Sequence, residues 1–154
     1  MIHKIADSQV HEYFNQIMEY LLDEKNRIKI ELTRTWSKTF TKEAGVYCIF
    51  IDNQLGYVGE TGKLRGRMSD LLNTKNHTLR RSLGGKYFST EKGYVKASSH
   101  KSYSQDIEER LNNLITERLT VSHLAITIGR KEFEEWLQTQ HSQIIFLNKR
   151  KKRK

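Results

Sequence analysis

The sequence predicts an α/β domain, a small three-stranded antiparallel sheet flanked by helices, with an N-terminal helical arm ahead of it. Three observations carry that reading. Residues 45–60 hold two short apolar stretches, GVYCIFID and LGYVGE, around a turn-like DNQ, which is the pattern of a β-hairpin. KLRGRMSDLL follows at once, with Leu64, Met68, Leu71 and Leu72 on one helical face. Later, YSQDIEERLNNLITERL keeps the helical period through Ile107, Leu111, Leu114, Ile115 and Leu119, and the branched run VSHLAITIG supplies the third strand.

Taken in order, residues 9–35 place Val10, Tyr13, Phe14, Ile17, Leu21, Ile28 and Leu32 at helical spacing, as one long helix or two shorter ones. This stretch makes residues 1–40 an arm for packing or dimerisation, ahead of a main domain over residues 41–148. From about 73 to 101 the apolar signal weakens. A short helix over His77 to Leu83 is predicted there, followed by a basic loop rich in Gly and Ser and too long for an ordinary connection. Ser102 with Gln105 reads as the box that starts the next helix. After the third strand, Lys131 to Gln140 is a helix with Phe133, Trp136 and Leu137 inward, QIIFLN is a closing apolar segment, and KRKKRK at 149–154 is a charged tail.

Composition bounds the function. A chain of 154 residues and 18.2 kDa has room for one core. Its 27 Lys and Arg against 18 Asp and Glu give a net charge of +9, which favours polyanions, nucleic acid foremost. Cys48 is the single cysteine, so an internal disulfide and a cysteine zinc site are both excluded. The opening MIHKIADSQV lacks the apolar run of a signal peptide, and no stretch approaches 18 apolar residues. The expectation is a cytoplasmic protein with no membrane association.

The chemistry-bearing residues gather around the hairpin. Gly45-Val46-Tyr47 lies on its first strand and Tyr57-Val58-Gly59 on its second, so the two tyrosines can come side by side on one sheet. Arg67 lies ten residues past Tyr57, in the helix that follows. Taken singly, each is an ordinary strand aromatic or a solvated helix cation; the combination is what points to chemistry.

GVY, then YVG, then TGKLRGRM resembles the GIY-YIG nuclease family. That pattern has two short motif strands and an Arg on the next helix, eight residues after the last Gly, as Arg67 is after Gly59. The resemblance implies a metal-binding Glu in a helix after the third strand and a closing Asn. Glu134 fits best, with Phe133 before it and Leu137 three residues after; Glu132 and Glu135 are its rivals, and Asn148 matches the Asn. On this reading Tyr57 polarises the attacking water, Tyr47 orients it, Arg67 grips the scissile phosphate and Glu134 holds Mg²⁺, or Mn²⁺ in its place. His77, ten residues after Arg67, matches the histidine that restriction-type members place beyond the Arg. The chain departs from the pattern at Glu60, an acid after YVG, and in lacking a proline before Asn148. Lys63 and Arg65 are close enough to offset the acid.

The chemistry is coherent without the resemblance. Phosphodiester hydrolysis needs a base for water, a cation for the phosphoryl oxygens and help for the leaving 3′ oxygen. A tyrosine, with an ordinary pKa near 10, serves as a base only if neighbouring cations stabilise its phenolate. Double-stranded DNA is the expected partner, contacted by Lys63, Arg65, Arg80, Arg81, Lys86 and Asn148, with the arm as a surface for a homodimer. Three functions follow: a sequence-specific, type II restriction-like endonuclease; a structure-specific nicking or repair nuclease; and a non-catalytic DNA-binding protein of the same fold, should Glu60 spoil the phosphate site.

Overall fold

The computed structural model describes residues 7–141. The predicted segment QIIFLN, with Asn148, and the basic tail at 149–154 lie outside these residues. The sheet has four strands rather than three: β1 (Ile28–Lys29), β2 (Gly45–Ile51), β3 (Gln54–Thr61) and β4 (Leu119–Ala125), in the order β1-β4-β2-β3 with every pairing antiparallel. The strand missing from the three-stranded expectation is β1, whose Ile28 and Lys29 pair with Val121 and Thr120. Two residues carry no readable alternation, and Ile28 falls by chance on the helical spacing of the arm. Its side chain is 39 % exposed.

The arm helix α1 (Asp7–Leu22) ends well before that strand. Arg27 donates to the Leu22 carbonyl at 2.7 Å, satisfying an end group of the helix. Asp23 then caps a single 3-10 turn at Glu24–Asn26 by accepting from Lys25 N–H. The remaining helices are α2 (Arg34–Ser37), α3 (Leu64–Asp70), α4 (Thr78–Phe88), α5 (Gln105–Arg118) and α6 (Arg130–Gln140). Helix α5 starts from Ser104, whose hydroxyl accepts from Ile107 N–H, two residues later than the predicted box. No helix of the described residues is long and apolar enough to cross a membrane.

Both faces of the sheet are covered, which is why every residue of β2 is buried. Alternation along β2 sends Val46, Cys48 and Phe50 to one side, where α1 contributes Phe14, Ile17 and Leu21 and α6 contributes Phe133 and Leu137. Tyr47, Ile49 and Ile51 go to the other side, against α2 to α5. Burying each such large apolar side chain stabilises the fold by about 1.5–3 kcal/mol. The apolar stripe of α1 is therefore engaged by the chain's own sheet. The segment after α4 is also anchored. Ala97 and Tyr103 are buried, Tyr103 donates to the Arg81 carbonyl at 2.6 Å, and Arg110 pairs with Glu91 through two 2.7 Å bonds.

Candidate active site

The hairpin delivers the two tyrosines to one face by means of a bulge. Asp52 and Asn53, both at positive φ, form a two-residue turn of the kind that suits the twist of paired strands. The register then shifts: Phe50 pairs with Leu55, but Ile49 pairs with Tyr57, leaving Gly56 as the extra residue. Without it, Leu55 and Tyr57 would share a face. With it, Leu55 joins the α1 side while Tyr57 turns to the side of Tyr47. The rings stack at 6.0 Å between centroids and 26° between planes. Tyr47 pairs in register with Gly59, where a Cβ would collide with the Tyr47 ring, so this glycine makes room for a tyrosine of the same chain.

The Tyr47 hydroxyl is a hub. Arg67 Nε–H donates to it at 3.1 Å, and His77 Nε2 lies 3.1 Å away. His77 caps α4, its Nδ1 accepting from Leu79 N–H at 3.1 Å. Burial, reinforced by Arg67, Arg81 and Arg80, holds the imidazole well below its ordinary pKa, so the ring is neutral. A neutral ring that accepts at Nδ1 carries its proton on Nε2, and His77 is therefore a donor to Tyr47. With two N–H groups pointed at its oxygen, Tyr47 has its own hydroxyl hydrogen left to turn toward Tyr57, and the interaction of the two hydroxyls favours the Tyr57 phenolate and disfavours that of Tyr47.

The two phenols are thereby made unequal. Burial raises both above the ordinary value. Tyr47 is pushed well above it, and the charge of Tyr57 adds to that rise while Arg67 opposes it. Tyr57 is opposed first by Arg67 and then by the Tyr47 hydrogen bond, with Glu134 adding a rise of its own. Both phenols are held above the ordinary value, Tyr47 the further, so of the two Tyr57 is the readier to lose a proton and Tyr47 is the one kept as a donor.

Arg67 is fixed at three points. Besides Tyr47, its Nη1 donates to Asp70 Oδ2 at 3.2 Å and to the Asn76 carbonyl at 3.0 Å. Burial works against its charge, but Tyr47, Tyr57 and Asp70 outweigh this and hold the group protonated. Its side chain still reaches the surface, at 23 % exposure. Sequence reasoning missed Asp70, although its position three residues after Arg67 in a helix is the spacing of a side-chain pair. On α6, Glu134 is 3 % exposed, accepts from Gln138 Nε2 at 3.4 Å and acts electrostatically on Tyr57. Glu132 is exposed on the same helix and Glu135 half-buried.

Of the predicted residues, Tyr47, Tyr57, Arg67 and His77 come together, whereas Glu134 lies on α6, whose Phe133 and Leu137 pack on the opposite face of the sheet, and is tied to the group only by its charge acting on Tyr57. Glu60 does not join them: it alternates to the other side of β3 and pairs with Arg130 at 2.8 Å. Lys63 is exposed where α3 begins, and Arg65 donates from Nε to the Phe40 carbonyl at 2.8 Å. Arg80 lies in the interior, 1 % exposed, its guanidinium held by Thr74, the Leu71 carbonyl and Glu108. Arg81 ties down the loop before α4 through the Thr74 and Lys75 carbonyls. Lys86 is exposed, its ammonium 5.9 Å from the Tyr87 ring centroid.

Among the described residues no group of three or more His, Cys, Asp or Glu side chains is placed to hold a metal ion. A buried carboxylate such as Glu134 still suits a hard divalent cation that keeps most of its waters and takes substrate oxygens. In comparisons with known proteins, no family model, no curated protein and no solved structure matches this chain.

Proposed function

We propose that this protein is a metal-dependent DNA endonuclease of the GIY-YIG kind. The observation that carries the reading is the convergence of Tyr47, Tyr57, Arg67 and His77, brought from the hairpin, α3 and the cap of α4 to one locus, with the charge of Glu134 acting on Tyr57 from α6. Two buried tyrosines need no charged neighbours in order to pack. Here they are joined to an arginine and a neutral histidine, and burying such groups costs several kcal/mol unless they are paired or used.

In the proposed reaction Tyr57 first gives its hydroxyl proton to solvent; a water oxygen then attacks phosphorus as one of its protons passes to the Tyr57 phenolate oxygen, and the leaving 3′ oxygen takes a proton from solvent. The phosphorus–3′-oxygen bond breaks as the new bond forms. Tyr47 donates a hydrogen bond that stabilises the Tyr57 phenolate, and His77 and Arg67 hold the Tyr47 oxygen in that orientation. Arg67, which reaches the surface, neutralises charge on the phosphoryl oxygens. Glu134 would hold Mg²⁺, or Mn²⁺, which when bound supplies positive charge for the leaving oxygen. The form proposed is a restriction-like enzyme of the cytoplasm, acting on double-stranded DNA as a homodimer so that both strands are cut. The pairing of Glu60 with Arg130 weighs against a non-catalytic relic, because the charge of the suspect acid is met by a cation of the same chain.

The test is incubation of supercoiled plasmid and long linear DNA with the protein, with and without Mg²⁺, beside Tyr57→Phe and Glu134→Gln. Discrete metal-dependent fragments that both variants lose are the expected result. Nicks only at branched duplexes would replace the restriction reading with a structure-specific one. DNA binding without cleavage under any divalent metal would overturn the enzyme.

A further inference from the structure

Along α2 and the start of α3 lies a groove of about 480 Å³ that the residues named in the proposed reaction do not line. Five cations line it: Arg34 and Lys38 from α2 and its end, Lys42 from the following turn, and Lys63 and Arg65 from the start of α3. No carboxylate lines it, and among the described residues none of the five is in an ion pair.

The two segments that carry these charges are locked together. Leu64 N–H donates to the Glu43 carbonyl at 2.8 Å, Arg65 N–H to the Thr41 carbonyl at 2.9 Å, and Arg65 Nε to the Phe40 carbonyl. Trp36 and Phe40, edge to face at 4.8 Å, root the α2 segment in the core. Like charges gathered on rigid backbone repel one another, so the arrangement stores a cost that an anion would relieve.

Gly66 is the second, independent observation. It lies inside α3, exposed, and lines the groove. A Cβ there would meet only Lys63 Cβ, at an ordinary 3.8 Å, so nothing within the fold requires glycine, which costs helix stability relative to alanine. Bare backbone is useful where a ligand comes close. Arg67, the next residue, turns about 100° around the helix from Gly66 and reaches Tyr47.

We propose that this groove seats the DNA backbone next to the phosphate held at Arg67, with α3 contributing residues to both. Five cations spread over two segments suit successive phosphates of a polymer better than one small anion. The proposal rests on the nuclease reading for its substrate, but its test is binding alone.

Anisotropy of a labelled 20-base-pair duplex is measured in chelator across a salt series, for the full-length protein, Arg34→Ala/Lys38→Ala, Gly66→Ala and a control, Lys25→Ala, that removes an exposed charge elsewhere. The double variant should lower the slope of log affinity against log salt by about two, for two lost phosphate contacts. Gly66→Ala should weaken binding while its melting temperature holds or rises. A double-variant slope equal to that of Lys25→Ala, or a loss confined to vesicles rich in phosphatidylserine, overturns the proposal. Should plasmid cleavage be absent while the slope still falls, the groove stands and the nuclease reading fails; cleavage with an unchanged slope gives the reverse.

Discussion

Replacing His77 with asparagine separates the two roles of its ring. Asparagine is itself a good helix cap, so the bond from Leu79 N–H is kept. What disappears is the Nε2 donor to Tyr47 and the titrating group. Because burial and then Arg67, Arg81 and Arg80 hold the native imidazole well below its ordinary value of 6.5, the unfolded chain binds a proton there that the native state refuses. Below about pH 6.5 the unfolded state therefore carries the extra proton, and stability falls as pH falls; above it both states are neutral and the ring adds no pH dependence. Integrated from about pH 7.5 to about pH 5.5, one such proton costs the native protein roughly 1.4 kcal/mol. At the higher pH the variant should be less stable by about 1–3 kcal/mol, for the buried bond it has lost. At the lower pH that deficit should shrink by about 1.4 kcal/mol. His123, also lowered by burial, titrates in both proteins and cancels in the difference. Urea unfolding followed by the fluorescence of Trp36 and Trp136 measures both gaps. A deficit that stays constant or widens on acidification would refute the neutral, donating histidine and the hydrogen-bond direction drawn from it.

Other perturbations test other parts of the site. Gly59→Ala places a methyl group against the Tyr47 ring, so Tyr47 must move; cleavage should fall at least about tenfold and stability by about 1–3 kcal/mol, read by plasmid digestion and thermal melting. Arg80→Met removes the guanidinium that Glu108, Thr74 and the Leu71 carbonyl share. A loss of about 3–5 kcal/mol in urea unfolding is expected, with the salt dependence of DNA binding unchanged. A well-folded Arg80→Met with weakened DNA binding would return that residue to the interface. Glu60→Gln, which weakens the largely buried pairing with Arg130, should cost about 1–3 kcal/mol in urea unfolding and leave the cleavage rate unaltered; a rise in rate would show that the Glu60 charge reaches the phosphate after all.

The sequence by itself determined the elements with long, clean periods. The hairpin and the helices around Leu64, Leu111 and Phe133 follow from alternation or helical spacing, because each buries a face and each face leaves its pattern in the chain; the third strand, read as VSHLAITIG, instead begins at Leu119, a residue read as helical, and ends at Ala125. Tyr47, Tyr57 and Arg67 stood out by their type and spacing around the hairpin, whereas Glu134 and His77 were reached only through the family resemblance. Strand β1 was not legible, because two residues cannot alternate and because what makes them a strand is the free edge of β4, which only the fold supplies. Nor was the interior position of Arg80, a side chain that reads as solvated until Glu108, 28 residues further along, comes round to meet it. The tertiary structure likewise decided the proton arrangement. The bulge at Gly56 turns Tyr57 to face Tyr47, and a backbone N–H of α4 fixes which nitrogen of His77 holds its hydrogen. Composition and spacing name the groups that meet, but the direction of a hydrogen bond depends on what else each atom touches, and that is settled only when distant segments close around it.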